Sequence, residues 1–362
     1  MTAQLLVLDS GLWQQKIGFS GDEAPRYTDQ TLTGIPKNTA ITSSHENRDV
    51  FIGESALQIQ RYLHLKESLD ESNQCCYSDL EKIWHELFYN KMKVNITEFP
   101  VFMALNPFFD MENKMSVVET LFESFNVPSL FMQSSSVTGL FAEGMVTGTV
   151  HDVGYSSMCS SFVFEGLLVE SDMAHSGFGG KRLRQKIKGV VDKLISQPGE
   201  ISETDLAALR NAKLDFPFYD NIKHRCFDNK DFQVELPDGT EVKLKARQFK
   251  ETKTEFMNSN AEQLFNLIAK SKNEYLKELK QSICIQGGST LVPGLDEHIK
   301  QYFYKRKIFD IDIVDHSNDE KMYNSWIGGS LYASLSTINS LLVSKQDYQE
   351  GGAAYVIRRN LL

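Results

Sequence analysis

Cysteine is scarce: the 362-residue chain holds 5, of which Cys75 and Cys76 are adjacent and none forms a CxxC pair. This excludes a disulfide scaffold and a zinc ribbon, and it fits a reducing compartment. No stretch approaches the roughly 20 consecutive apolar residues needed to span a bilayer, so no membrane partner is expected. The opening MTAQLLVLDSG has no basic region and runs directly into a strand-like pattern, unlike a signal peptide. Positive charge is in deficit, with 38 Lys and Arg against 48 Asp and Glu and a net charge of −10. That balance argues against a phosphate-neutralising surface, and no nucleic-acid partner is expected. One basic run, Lys181, Arg182, Arg184, Lys186 and Lys188, falls on an expected helix and reads as a solvated face. Low-complexity linkers are also missing. What is present is ordinary for a globular protein, 41% apolar and 24% charged residues, in a chain long enough for two domains.

Strand-like and helix-like segments alternate, which predicts α/β layers. Residues 4–9 (QLLVLD) are an apolar run ending in Asp-x-Gly, and residues 148–154 (GTVHDVG) repeat that layout, a candidate internal duplication. Leu80, Ile83, Trp84, Leu87 and Phe88 recur at i, i+3, i+4, i+7 and i+8, one helical stripe over residues 79–92. A second helix is expected over 112–126, closed by Asn126 with Pro128 beyond it. Residues 99–105 read as a buried strand between these helices. The runs flanking Asp238-Gly239 predict a hairpin with a type I′ turn, which needs positive φ at both central residues. The segment SICIQGG (282–288) reads as a strand entering a glycine turn, with a helix from about Leu295, and residues 325–342 read as helical with a break at Ser334–Thr337.

Several of these segments resemble actin. They are Trp326-Ile327-Gly328-Gly329-Ser330 continued by ASLST (333–337) and SKQDY (344–348), LEKIWHELFYN (80–90), ELPDG (235–239), GGSTLVPG (287–294) and DEAPR (22–26). They run in order from residue 7 to about 359, so the chain is identified as a divergent member of the actin family, an actin-related protein. The resemblance implies an α/β, actin-like fold: two lobes, each with a five-stranded mixed sheet flanked by helices, a duplicated ribonuclease H-like core. It places the outer lobe at 1–136 and 324–362, with subdomain 2 at about 32–68. The inner lobe falls at 137–323, with subdomain 4 at about 178–256. A sugar kinase or chaperone on the same ancestral core is disfavoured by the actin-specific C-terminal segment and hairpin.

The resemblance also implies a nucleotide site. Glycine turns in such a site let backbone N–H groups approach phosphates, carboxylates hold Mg²⁺ through water, and a lysine offsets phosphate charge. The matching positions that survive are Asp9, Gly11, Lys16, Asp152, Gly154, Gly180, Gly287 and Gly288. Asp and Gly are also ordinary turn residues without a ligand. Other positions depart from the family. The first turn reads Asp9-Ser10-Gly11-Leu12-Trp13, with Trp13 at a glycine position. The second reads Asp152-Val153-Gly154-Tyr155-Ser156, losing a carboxylate and a glycine. Ser135 stands at the family's catalytic glutamine and Cys159 at its water-positioning histidine. Asn211-Ala212 replaces a Lys-Glu pair, and Met322 replaces a late lysine. Losing a single oriented donor costs on the order of 10²–10³ in rate, so these losses imply no ordinary ATP hydrolysis. No catalytic residue, no metal and no bound cofactor are expected, with ATP or ADP and Mg²⁺ as the alternative.

A partner groove is implied at Phe141, Gly144, Gly166, Ile327, Leu331, Leu335 and Leu341, where Ile327, Leu331 and Leu335 would form one helical stripe. The family's apolar loop after the hairpin is replaced by the shorter, more polar 246–262, and the segment at about 37–50 has lost apolar and glycine character. The expected role is a non-catalytic structural subunit of a cytoskeletal or other multiprotein assembly, cytoplasmic and cytoskeletal. Its partners would be other protein subunits, among them actin or other actin-related proteins. The alternative is an ATP-binding, polymerising or switching actin-like protein.

Overall fold

The structure is a computed structural model that describes residues 4–361 apart from 38–48, 68–76, 197–200, 213, 215, 229, 273 and 316. The chain divides into two compact units: residues 1–150, 162–170 and 322–362 form the first, and 151–161 and 171–321 the second. Residues 137–150 and 162–170 thus pack with the first unit, whereas the sequence division assigned them to the inner lobe.

The first unit is built on a six-stranded sheet in the order β15-β8-β7-β1-β2-β3. Its strands are β1 (Leu6–Ser10), β2 (Gln14–Phe19), β3 (Tyr27–Gln30), β7 (Val101–Leu105), β8 (Ser129–Ser134) and β15 (Val343–Ser344). β1 runs parallel to β7 and β7 to β8, while β2, β3 and β15 are antiparallel to their neighbours, so the sheet is mixed. The central strands carry apolar side chains on both faces, as continuous apolar runs do when a sheet is covered on both sides. Leu6, Leu8, Val101, Met103, Leu130 and Met132 enter one core with Leu80, Ile83, Trp84, Leu87 and Phe88. The alternate residues Leu5, Val7, Phe102 and Phe131 enter the other with Trp326, Ala333 and Ile338. A three-stranded sheet of β4 (Leu32–Pro36), β5 (Phe51–Ile52) and β6 (Leu63–Glu67) adds to this unit in the order β5-β4-β6.

Helices of eight or more residues are numbered in chain order. α1 (Tyr77–His85) continues into a wider-turned Glu86–Lys91 segment, so the expected apolar stripe is helical and buried. α2 (Met111–Glu119) is capped by Asp110, whose side chain accepts the Asn113 N–H, and its extension ends before Asn126 at φ 56°. α3 spans Ser135–Ala142.

The four-stranded sheet has the order β11-β10-β9-β14, made of β9 (Gly148–Val153), β10 (Met158–Phe164), β11 (Leu167–Ser176) and β14 (Ile283–Gln286). A single parallel bridge from Ile283 to Ile313 lies at its edge. The two principal sheets therefore hold six and four strands among the described residues instead of five each: two-residue β15 adds to one, and the Ile313 bridge is too short to be a strand of the other. The second unit contains α4 (Gly180–Ser196), α5 (Glu203–Asn211), α6 (Phe216–Lys223), α7 (Lys250–Lys270) and α8 (Leu295–Lys305). α9 (Asn318–Ala333) and α10 (Lys345–Leu361, broken at Gly352) complete the chain.

Four expectations change. The hairpin forms as β12 (Phe232–Glu235) and β13 (Glu241–Leu244), but its loop is longer than a two-residue type I′ turn. Gly239 donates to the Leu236 carbonyl and Leu236 to that of Thr240, and only Gly239 has positive φ. Pro237, fixed near φ −65°, sets a type I turn here. Residues 246–262 are not a loop: 246–249 form a 3₁₀ turn and the rest begins α7, burying Phe249, Phe256, Met257 and Asn260. The basic run on α4 is not one solvated face, because Arg184 is buried and paired with Asp220 at 3.1 Å, while Lys186 pairs with Glu255 and Lys188 with Asp192. Leu335 lies beyond the end of α9, where Ser334 and Leu335 donate to Leu331 and Tyr332 in tight turns. Cys75, Cys76 and most of the 37–50 segment lie outside the described residues.

Candidate functional site

Both Asp-x-Gly segments end a strand, β1 in one case and β9 in the other, with the Asp still in the strand and the Gly entering the turn. In the first unit, Asp9 and Lys16 face each other across the β1–β2 pair. Their side chains join in an ion pair of 2.7 Å that is largely shielded from water. A buried polar network fastens the turn itself. The Gly11 carbonyl accepts from Gln15 Nε2 at 3.0 Å and from the Thr31 hydroxyl at 2.6 Å. Trp84 Nε1 donates to both Ser10 Oγ and Gln15 Oε1 at 3.2 Å. The Trp13 carbonyl accepts the Thr31 N–H at 2.8 Å, which fixes the backbone at the residue that departs most from the expected turn. Gly11 has its own steric reason: a Cβ there would stand 2.5 Å from the Gln14 carbonyl oxygen. Ser135 begins α3 in this unit and is buried, and Met322 is partly buried.

In the second unit, Asp152 Oδ2 accepts from Gln286 Nε2 at 3.1 Å, so β14 holds the carboxylate at the end of β9. The turn closes with the Gly154 N–H on the Ser157 carbonyl at 2.9 Å. Its carbonyls then receive the start of α4: Gly180 N–H donates to Gly154 O at 3.0 Å and Lys181 N–H to Tyr155 O at 2.7 Å. Ser289 Oγ also donates to Gly154 O at 3.0 Å. The Gly180 and Lys181 N–H groups are donors that the N-terminus of α4 would otherwise offer to an anion. Gly287 sits at φ 100° with no room for a side chain, since its Cβ would lie 2.6 Å from Val153 O and 2.7 Å from Asp152 Oδ1. Gly288 opens on empty space. Cys159 is buried on β10, 3.9 Å from Ser157 Oγ; Asn211 is the exposed last residue of α5, and half-buried Ala212 follows it.

The family model described as actin matches residues 2–207 and 222–361. The chain belongs to the actin family. This establishes the family and the actin-like α/β fold that the segments from DEAPR to SKQDY implied.

This actin-family chain contains polar clusters that the sequence reading missed. Tyr155, at the lost carboxylate, is buried, and the Arg184 guanidinium lies 5.3 Å from its ring centroid. Asp220 holds Arg184 at 3.1 Å and Lys223 at 3.8 Å. Burial lowers the Lys223 pKa; Asp220 works against this and Arg184 adds to it. The Asp220–Lys223 spacing of three on α6 was the available signal. Deeper in the same unit His151 is wholly buried, 2.7 Å from Ser160 Oγ through Nδ1 and 3.1 Å from Asn260 Oδ1 through Nε2. The Asn260 amide N–H₂ donates to Phe256 O, so its oxygen is left to accept from the imidazole Nε2–H. Desolvation lowers the His151 pKa to about 4 and keeps the ring neutral.

The groove positions of this actin-family chain lie in the first unit. Leu331 and Leu335 are 45% and 41% exposed, so they are surface residues and not core. Ile327 and Leu341 are partly buried against the Trp326 cluster, and Phe141 packs on Tyr332 at 5.4 Å between ring centroids. Gly144 and Gly166, both at positive φ, border open space. Of the groove positions with apolar side chains, Leu331 and Leu335 are the exposed ones, and Ile327 and Leu341 pack against the core beneath.

Proposed function

We propose that this actin-family protein is a non-catalytic structural subunit of a cytoskeletal or other multiprotein assembly in the cytoplasm. The observation that carries this reading is the engagement of both turns within their own units. Asp9 is ion-paired to Lys16, Asp152 is held by Gln286, and the Gly180 and Lys181 N–H groups bond to the carbonyls of Gly154 and Tyr155. A turn that holds phosphate needs those carboxylates, that lysine and such amides directed at the ligand. With Tyr155 buried at the second turn, and Ser135 and Cys159 both buried and short, the residues present do not fit a hydrolytic ATP–Mg²⁺ site.

The docking platform in this reading is the Leu331–Leu335 patch, and its partners are other protein subunits, among them actin or other actin-related proteins. Exposed apolar surface of this kind marks interaction sites. Leu331→Asp combined with Leu335→Asp is expected to leave thermal unfolding unchanged and to abolish co-purification of partners from a tagged full-length chain. Unchanged co-purification would contradict the assignment.

A second reading, an ATP-binding protein that polymerises or switches, is motivated by the retention of Asp9, Lys16 and Asp152. It requires phosphate release above background that Asp152→Ala abolishes. The structural-subunit reading expects release at background for both proteins.

A further inference from the structure

A pocket of about 360 Å³ opens in the first unit, at the ends of β7 and β8. Leu105, Pro107 and Leu168 supply apolar wall, and Leu167 stands at its edge 71% exposed. The polar lining is biased towards donors. Asn106 Oδ1 accepts the Phe108 N–H at 2.9 Å, Gln133 Oε1 accepts the Ser134 N–H at 2.8 Å, and Asn360 Oδ1 accepts the Met132 N–H at 3.1 Å. These amide oxygens are tied to backbone. The Gln133 N–H₂ has no acceptor among the described residues. The Lys114 ammonium, partly buried on α2, has no hydrogen bond and no carboxylate within 4.0 Å among the described residues. Its pKa is lowered by burial, against the pull of Glu170 and Asp110, so the cation sits where water solvates it poorly. Glu170 lines the same pocket from an exposed position, where solvent weakens its influence.

A partly desolvated cation and an unused amide N–H₂ beside an apolar wall match a ligand with a carboxylate at one end and a hydrocarbon body at the other. We propose that this pocket binds a small organic carboxylate with a short apolar body, its head group held by Lys114 and Gln133. Sites for small ligands span roughly 300–1,000 Å³, so this one takes a molecule at the small end, of about a dozen non-hydrogen atoms.

The probe is 4-phenylbutyrate, titrated into the full chain by calorimetry or ligand-observed NMR beside 4-phenylbutan-1-ol and 4-phenylbutylamine. The acid is expected to bind about tenfold tighter than the alcohol, the amine weakest. Lys114→Met should erase the preference for the acid, Lys114→Arg should keep it, and Glu170→Gln should tighten the acid by about threefold. Equal binding of acid and alcohol, strongest binding of the amine, an unchanged acid affinity in Lys114→Met, or no binding of any probe would overturn the proposal.

Discussion

A methyl group at Gly287 would meet the Val153 carbonyl and the Asp152 carboxylate at well under 3 Å, on a backbone at φ 100°. The residue is therefore required by the packing of β9 against β14, whatever that turn binds. Gly287→Ala should destabilise the protein by about 2–3 kcal/mol in urea unfolding, because strain at a positive-φ site adds to the clash. The same lesson holds for Gly11, excluded from carrying a side chain by Gln14. Reading the sequence, these glycines were assigned to a nucleotide site because family turns use them there; their steric reasons depend on which strand lies opposite and are not written in the local sequence. His151 was equally hidden, since nothing adjacent in sequence marks Asn260 as its partner. Its folded pKa of about 4 lies below the ordinary 6.5, so protonation favours the unfolded chain. The contribution is fully present above pH 6.5 and is lost as pH falls towards 4, about 3 kcal/mol in all. Urea midpoints measured at pH 7 and pH 4.5 should fall less steeply for His151→Gln than for the unaltered protein. Equal slopes would show that His151 does not control this window.

Elements with one strong periodic signal were legible. The stripe from Leu80 to Phe88, the buried strand Val101–Leu105 and the β14-to-glycine turn all formed where the pattern placed them. Elements whose ends depend on competing local bonds were less so. Asp238-Gly239 signalled a two-residue turn, but Pro237 just before it moved the loop to a type I geometry. The expected break at Ser334–Thr337 is where α9 ends, with Ser334 Oγ bonded to the Ser330 carbonyl, so of the stripe Ile327, Leu331 and Leu335 only the first two are on that helix. The basic residues on α4 read as solvated because charge alone does not reveal that Asp220 waits on α6. The N-terminus of α2 is capped by Asp110, whose carboxylate accepts the Asn113 N–H at 2.7 Å. Asp110→Ala should cost about 1 kcal/mol, read as a lowered thermal midpoint with the far-ultraviolet spectrum retained.

For the whole molecule, family and fold class were legible because many short segments agreed in order along the chain, and the match over residues 2–207 and 222–361 bears this out. Six strands and four in the principal sheets replaced the expected five and five, since strand counts depend on pairings of two residues or one that no pattern announces. The function we propose rests on an arrangement of bonds within each turn, which sequence can raise as a question and geometry can argue. Its most direct test is nucleotide content. The protein is purified without added ATP and denatured, and its supernatant is resolved by ion-exchange chromatography beside an actin control. The account predicts a folded protein carrying far less than one nucleotide per chain. ADP or ATP near one per chain would contradict it: the Asp9–Lys16 and Asp152–Gln286 contacts would then have to yield to a ligand, and the turns would be binding elements after all.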